Sequence, residues 1–202
     1  MIQMKKQLLS AALVAAFSSA LAINANAATK GTINFKGKIV EQTCIVDNNN
    51  ANQTIDLGKA PKNAFTAKES TANATRFTIH LKNCTVRSAG TNTATKVKAG
   101  FSSVANVDTT EKYTLKNTAG ANKANNVNIR LFNEDGVNAI SPMKTTVKQV
   151  GNIATQVDDD GAEFKTITTT PDLTYIAKFY ATNATVDAGE VQSSVDFELV
   201  YE

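Results

Sequence analysis

Apolar and polar residues alternate along most of this chain, which is the period-two pattern of β-strands with one buried face. Strands are predicted at 53–58, 76–84, 96–102, 113–117, 126–133, 173–182 and 191–202. No segment beyond the first 27 residues has the 3.6-residue period of a helix, and 3 prolines with 10 glycines suit short strands joined by turns. The pattern predicts an antiparallel β-sandwich.

The run at 31–40, GTINFKGKIV, predicts a further strand with one apolar face. Ile33, Phe35 and Ile39 share one parity with Gly31 and Gly37. Thr32, Asn34, Lys36 and Lys38 occupy the other parity. This strand precedes Cys44, and the chain could use it in either of two ways, considered below.

The closing run at 191–202 also has two distinct faces. Val195, Phe197, Leu199 and Tyr201 share one face, whereas Asp196, Glu198 and Glu202 share the other. Without 31–40, the strands amount to an immunoglobulin-like sandwich in which no seventh strand covers the free edge of the closing one. An open apolar edge favours aggregation. Either the strand at 31–40 folds back on that edge, or another copy receives it by strand addition.

The first 27 residues are typical of a secretory signal peptide. Lys5 and Lys6 precede an apolar run broken by serines, and Ala25-Asn26-Ala27 fits an A-x-A cleavage site. We expect a mature chain that starts at Ala28, forms one domain and does not insert in a membrane. Its net charge of about +1, without a basic stripe, argues against nucleic acid as a partner.

Export to an oxidising compartment predicts a disulfide between the two cysteines, Cys44 and Cys84. A metal site is the alternative for these cysteines, but with only His80 nearby they lack a tetrahedral ligand set. Catalytic chemistry has few candidates. His80 is expected on the outward face of its strand, and Asp158, Asp159 and Asp160 in an exposed turn. We therefore expect no enzyme, no metal and no cofactor.

The order of these motifs resembles the type 1-like major fimbrial (pilus) subunits of the chaperone-usher pathway. The resemblance runs nearly from end to end. It rests on GTINFKGKIV before Cys44, RFTIHLKNC ending at Cys84, NVNIRLFNEDG, AKFYAT, and the final FELVYE with its penultimate tyrosine. It implies an incomplete immunoglobulin-like sandwich that lacks its final strand. It divides the chain into a signal peptide at 1–27, a donor-strand extension at 28–42 and a pilin domain at 43–202.

The same resemblance implies how such a chain would assemble. A periplasmic chaperone lends a strand to the groove, and an outer-membrane usher exchanges it for the extension of the next copy. Ile33, Phe35 and Ile39 would enter the neighbour's groove, and Gly37 would sit where a side chain would prevent close approach. Gly31 departs from the family pattern, which has an apolar residue at that parity. Val195, Phe197, Leu199 and Tyr201, with the segment after Cys44, would border the receiving groove.

The resemblance therefore implies a structural subunit of a bacterial surface fimbria, exported through the periplasm, that supports adhesion, with host receptors bound through tip subunits. Two alternatives stay open within the same system. A minor or adaptor pilin would share every feature above. A glycan-binding adhesin is less well matched, because the chain is short for a second lectin domain and has no Trp for sugar stacking.

Overall fold

The computed structural model describes residues 37, 39–40, 44–48, 51–88, 90, 92–150 and 153–202. The chain divides into two compact units, Met1–Gly37 and Lys38–Glu202, and the strands described here belong to the second unit. The predicted signal peptide lies outside the described residues, as do Ile33 and Phe35 of the predicted donor strand.

The described residues form twelve strands and one 3-10 helix, Lys62–Ala64, with no α-helix among them. The strands are β1 (Ile45–Val46), β2 (Thr71–Lys82), β3 (Lys96–Ser102), β4 (Val107–Asp108), β5 (Thr114–Leu115), β6 (Val127–Asn133), β7 (Ala139–Ile140), β8 (Thr145–Val150), β9 (Ile153–Asp158), β10 (Lys165–Thr166), β11 (Asp172–Ala181) and β12 (Asp196–Tyr201). The prediction of an all-β fold is confirmed. Within the described residues no helix has the length and apolar character needed to cross a membrane.

The strands build two sheets and a separate hairpin. The large sheet has 7 strands in the order β1-β2-β11-β6-β5-β4, with β7 beside β6. The small sheet has 3 strands in the order β10-β3-β12, and β8 pairs with β9 as the hairpin. All ladders between these strands are antiparallel. Among the described strands the sheets do not close into a barrel, and the edge strands are β1 and β4 in the large sheet and β10 and β12 in the small sheet.

One hydrophobic core lies between the two sheets. The large sheet contributes Ile79 and Leu81 of β2 and Tyr175 of β11, and the small sheet contributes Val97, Ala99 and Phe101 of β3. The rings of Phe101 and Tyr175 meet edge to face, with centroids 5.0 Å apart. These core residues stand at alternate positions of β2 and β3, as the period-two pattern predicts, whereas β6 is buried on both faces.

The strand predicted at 53–58 is wrong. The structure assigns none of these residues to a strand, and side-chain hydrogen bonds hold the segment. The Asp56 carboxylate accepts the N–H of Gly58, whose φ of +66° suits glycine. The Asn73 amide donates to the carbonyl oxygens of Leu57 and Lys59. The segment therefore forms an Asx-type turn instead of a strand, because the Asp and Asn side chains bind backbone groups that a strand would use for pairing.

The exposed turn predicted at Asp158–Asp160 is correct only in part, because Asp160 is 3% exposed. Lys98 on the outer face of β3 explains the burial. Its ammonium lies 2.5 Å from Asp160 and 2.7 Å from Asp158, and 5.1 Å from the ring centroid of Phe164. Asp158 ends β9, so this ion cluster attaches the β8–β9 hairpin to the outer face of the small sheet.

Candidate functional site at the open edge of the sandwich

A disulfide joins Cys44 to Cys84, as the sequence predicts. Cys44 directly precedes β1 and Cys84 follows β2, and both side chains are buried. The two strands pair with Ile45 opposite Lys82 and Val46 opposite Leu81. The disulfide therefore attaches the beginning of the described body, next to the predicted donor strand, to the end of its longest strand.

The closing strand β12 is an edge strand of the small sheet in the described part of the chain. Among the described residues, β3 is the only strand that pairs with β12, through a register that places Phe197 opposite Phe101 and Tyr201 opposite Val97. No described strand pairs with the other side of β12, where the backbone N–H and C=O groups of an edge strand can bind a further strand.

The four predicted groove residues, Val195, Phe197, Leu199 and Tyr201, lie on one face of this segment and pack against the core. Each is half-buried, whereas their neighbours on β3, Val97, Ala99 and Phe101, are at most 4% exposed. The core side chains of β3 are therefore shielded from solvent, whereas those of the closing segment are shielded only in part. If another apolar strand were added beside this strip, further apolar surface would be removed from water, which is favourable.

The opposite border of this strip includes one residue of the predicted segment after Cys44, Val46, and one that the sequence analysis did not assign to it, Phe77. Val46 of β1 and Phe77 of β2 are half-buried against the same core, and the Phe77 ring lies 6.3 Å from that of Phe101. We call Val46, Phe77, Val195, Phe197, Leu199 and Tyr201 the open strip. The signal for Phe77 was its shared parity with Ile79 and Leu81, but parity does not show which core residues lie near an edge.

The hydroxyl of Tyr201 links the two borders of the open strip. It donates to the carbonyl oxygen of Cys44 over 3.4 Å, so the end of β12 lies beside the residue that begins the disulfide-bonded body. In the described residues the short β1 ladder pairs with Leu81 and Lys82 of β2, and the Asp47 N–H donates to the carbonyl oxygen of His80. In the described structure the open strip is therefore bordered by β12 on one side and by the Cys44–β1 segment on the other.

Of the predicted donor positions, Gly37 and Ile39 fall in the described residues. Gly37 is exposed, and a Cβ built on it would meet no atom within 4 Å. Ile39 is 92% exposed, although the next residue, Val40, packs partly against the core. Burial of such an exposed apolar side chain would be favourable in free energy.

The candidates for catalysis form no reactive set in the described part of the chain. His80 lies on the outer face, as predicted, with its Nδ1 2.6 Å from Asp172 Oδ1 in the cross-strand position. Both side chains are about half exposed. No group of three or more metal-binding side chains occurs among the described residues. A catalytic triad also requires a nucleophile, and the His80–Asp172 pair on the surface does not include one.

Comparison with known proteins identifies the family. The fimbrial protein family model matches residues 33–202. The chain belongs to the fimbrial protein family. A major fimbrial subunit of Haemophilus influenzae is 39% identical over 98% of this chain and 100% of its own length. The F17 fimbrial protein of Escherichia coli is 34% identical over 91% of this chain and 94% of its own length.

Solved structures agree with this fold. A chain from a chaperone-usher pilus has a TM-score of 0.55 at 18% identity, and the match covers 86% of this chain and 96% of that one. The P pilus rod subunit PapA has a TM-score of 0.54 at 16% identity, covering 80% of this chain and all of that one. The fold is thus the open immunoglobulin-like sandwich of pilus subunits.

Family membership decides the general function. Fimbrial proteins are the structural subunits from which surface pili are built by polymerisation, and they are not enzymes. The chain is accordingly a component of a surface fimbria that associates with other subunits.

Proposed function

We propose that this chain is the repeating, major subunit of its fimbria, and that neighbours join when residues 28–42 of one copy add a strand to the open strip of the next. The observation that carries the proposal is the half-buried state of Val195, Phe197, Leu199 and Tyr201 beside an edge that β3 alone pairs with in the described structure. The arm has the matching alternation, with Ile33, Phe35 and Ile39 on one parity.

The energetics of this association favour a persistent filament. Full burial of each large apolar side chain of the arm contributes about 1.5 to 3 kcal/mol. The new ladder along β12 adds main-chain hydrogen bonds and satisfies the open edge. Gly37 of the arm would lie over the floor of the strip, where the absence of a Cβ permits close approach. Such a joint unfolds slowly, which suits an extracellular polymer.

The open strip also explains why delivery would need help. An exposed apolar edge aggregates unless another strand covers it. We infer that the signal peptide at 1–27 is removed on export, that a periplasmic chaperone covers the strip by lending a strand, and that an outer-membrane usher replaces this strand with the arm of the next copy. The likeness of fold to a chain from a chaperone-usher pilus supports this route.

The curated relatives bear on the choice between a major and a minor subunit. The major fimbrial subunit of H. influenzae matches at 39% identity over 98% of this chain. A minor fimbrial subunit of the same species matches at 31% identity over 86% of it. The comparison favours the major role, in which the filament shaft supports adhesion and tip subunits contact host receptors. Quantitative mass spectrometry of sheared filaments tests it, because a major subunit should dominate the preparation.

Mutation of the arm tests the donor role without changing its length. We expect replacement of Ile33, Phe35 and Ile39 by Ser to abolish filaments on cells that carry the intact export system, because the arm then has no apolar face to bury. The matched control replaces Thr32 and Asn34, on the opposite parity, by Ser and should leave filaments intact. Filaments are counted by electron microscopy of negatively stained cells.

A deletion of residues 28–41 provides a second test. If cells that express this deletion still form filaments of normal length, the arm is not the donor and the proposal fails. If instead the arm substitutions and the control reduce filaments equally, the alternation in the arm has no bearing on assembly and the proposal fails as well.

A further inference from the structure

We infer that two cross-strand ion pairs, Lys36 with Glu198 and Lys38 with Asp196 of the neighbouring copy, set the register in which the arm joins β12. This inference rests on the proposed function above and adds to it the residues that determine specificity. The apolar residues of the arm supply most of the attraction, and the charged residues select one alignment among several that would bury apolar side chains.

The first observation concerns the outer face of β12. Asp196 and Glu198 alternate with the open strip, and both are exposed. Neither forms an ion pair with any described residue, whereas Glu202 at the end of the same face pairs with Lys96 of β3. Two carboxylates thus stand two residues apart along an open edge without a cation beside them.

The second observation concerns the arm. Lys36 and Lys38 stand two residues apart, on the parity opposite to Phe35 and Ile39. When the apolar parity of a strand points into the open strip, the other parity points to the outer face. Directly opposite residues of paired strands lie on the same face. The two lysines and the two carboxylates therefore come to lie on one face with equal spacing.

The register follows from counting. All ladders between the described strands are antiparallel, and an antiparallel arm with Gly37 opposite Phe197 places Lys36 opposite Glu198 and Lys38 opposite Asp196. The same register puts Ile39 opposite Val195 and Phe35 opposite Leu199, so the apolar residues match as well.

Displacement of the arm by two residues keeps the apolar parity but loses charge pairing. In one direction Lys36 meets Asp196 and Lys38 meets Ser194, and in the other Lys38 meets Glu198 and Lys36 meets Val200. Each shifted register retains one ion pair of two. Because a slip by one residue is already prevented by the buried apolar face, the charges act against the slip by two.

Cysteine pairs test the register directly. Paired strands bring opposite Cα atoms to about 4.5–5.5 Å, within the range of a disulfide. We expect mild oxidation of filaments of the double variant Lys38→Cys/Asp196→Cys to produce a reducible ladder of covalent multimers on a denaturing gel. The matched control, Lys38→Cys/Glu198→Cys, should stay largely monomeric. Equal cross-linking of both variants, or preferential cross-linking of the control, would overturn the assigned register.

Charge reversal tests the ion pairs. Two exposed cross-strand pairs are expected to change the rate of subunit release by roughly twofold to thirtyfold. Filaments of Lys36→Glu/Lys38→Glu should therefore release subunits faster in a fixed concentration of denaturant. The combined variant, which also carries Asp196→Lys/Glu198→Lys, should recover most of the wild-type rate. The difference should shrink in 1 M salt, since salt screens exposed charges.

A control reversal elsewhere separates local pairing from total charge. Lys59→Glu/Lys62→Glu makes the same change in net charge at two exposed positions in the loop before β2 and should leave release unchanged. If the combined variant releases subunits as fast as the arm variant, the ion pairs do not act and this inference fails, although the arm can still be the donor. If deletion of the arm leaves filaments intact, the proposed function itself fails.

Discussion

The hydroxyl of Tyr175 on β11 accepts a hydrogen bond from the backbone N–H of Ala99 on β3, over 3.0 Å across the core. This contact joins the large sheet to the small sheet, and it pairs an N–H that would otherwise be buried without a partner. Burial raises the pKa of Tyr175 to about 12, and the hydrogen bond from Ala99 offsets only part of that effect. The hydroxyl is therefore neutral throughout the physiological range.

The first prediction concerns alkaline pH. Because the pKa of Tyr175 is about 12 when folded and roughly 10 when unfolded, its contribution is complete below pH 10 and declines as pH rises toward 12. Tyr175→Phe should lose about 1 to 2 kcal/mol at pH 7, because Ala99 N–H loses its acceptor, and should show a shallower decline between pH 10 and 12. Urea unfolding of the mature protein across this pH range measures both effects.

Tyr180 supplies the matched control. Its side chain is also buried, but its hydroxyl has no hydrogen-bond partner in the described structure. Tyr180→Phe should therefore cost nothing measurable at pH 7, or stabilise slightly, since it removes a buried unpaired polar group. Equal losses from the two substitutions would contradict the assigned role of the Tyr175–Ala99 contact.

The contrast between these tyrosines shows how far the sequence can predict this fold. Alternation placed Tyr175 on the inner face of its strand and gave β3 its bounds, because period-two burial is a local property. It could not predict that the hydroxyl reaches Ala99, which is 76 residues away in the chain. The β12 face was predictable for the same local reason. The contributions of Val46 and Phe77 to the open strip could not be predicted from alternation, because they depend on which strands lie at the edge of the sheet.

The second prediction concerns the ion cluster that attaches the β8–β9 hairpin. The side chains of Lys98 and Asp160 are 6% and 3% exposed, so removal of the ammonium would leave a carboxylate buried without its cation. Lys98→Met should destabilise the mature protein by about 3 kcal/mol. The control, Lys144→Met, removes the partner of the exposed Asp159 and should produce no measurable change in urea unfolding. Similar midpoints for both variants would show that the cluster does not stabilise the fold.

The pH dependence of the same cluster has a defined sign. Burial acts to lower the pKa of Lys98, but the hydrogen bonds to Asp158 and Asp160 and the negative charges of these carboxylates together raise it above its usual value of 10.5. A raised pKa means that the contribution of Lys98 is complete below pH 10 and is lost only as pH increases through the raised value. Lys98→Met should therefore lower stability by a constant amount from pH 6 to pH 9.

The third prediction concerns the Cys44–Cys84 disulfide. It closes a loop across a sequence separation of 40 residues, and the chain-entropy model gives about 4 kcal/mol for a loop of this length. Replacement of both cysteines by Ala should lower the free energy of unfolding by about that amount. Reduction of the wild-type protein should have a similar effect on the urea midpoint, while the double variant should not respond to reductant. A small effect in both experiments would contradict the expected contribution.

The disulfide also has a mechanical consequence for the proposed filament. Cys44 lies between the arm and β1, so tension on the arm reaches β2 through the bond to Cys84. Reduced filaments should consequently break at lower force in single-filament pulling than oxidised ones. If reduction leaves the breaking force unchanged while lowering the urea midpoint, the bond stabilises folding but does not transmit load.

The fourth prediction concerns Gly189, in the loop that precedes β12. A Cβ at this position would lie 2.4 Å from the carbonyl oxygen of Asn122 and 2.5 Å from the backbone nitrogen of Ala124. Both contacts are with backbone, which cannot move aside as a flexible side chain could. The next residue, Glu190, forms a parallel bridge with Lys123 and exchanges backbone hydrogen bonds with Asn122 and Ala124. A larger residue at 189 must therefore separate two hydrogen-bonded loops.

Gly189→Ala should accordingly destabilise the mature protein by about 2 kcal/mol or more, with overpacking and loss of the adjacent hydrogen bonds as the causes. Gly120→Ala is the matched control, because a Cβ there would meet nothing within 4 Å. It should be neutral or slightly stabilising, since alanine restricts the unfolded chain more than glycine does. Urea unfolding of the two variants measures the difference. A Gly189→Ala variant as stable as Gly120→Ala would show that the loops before β12 can separate at little cost, and that their close contact does not hold the open edge in place.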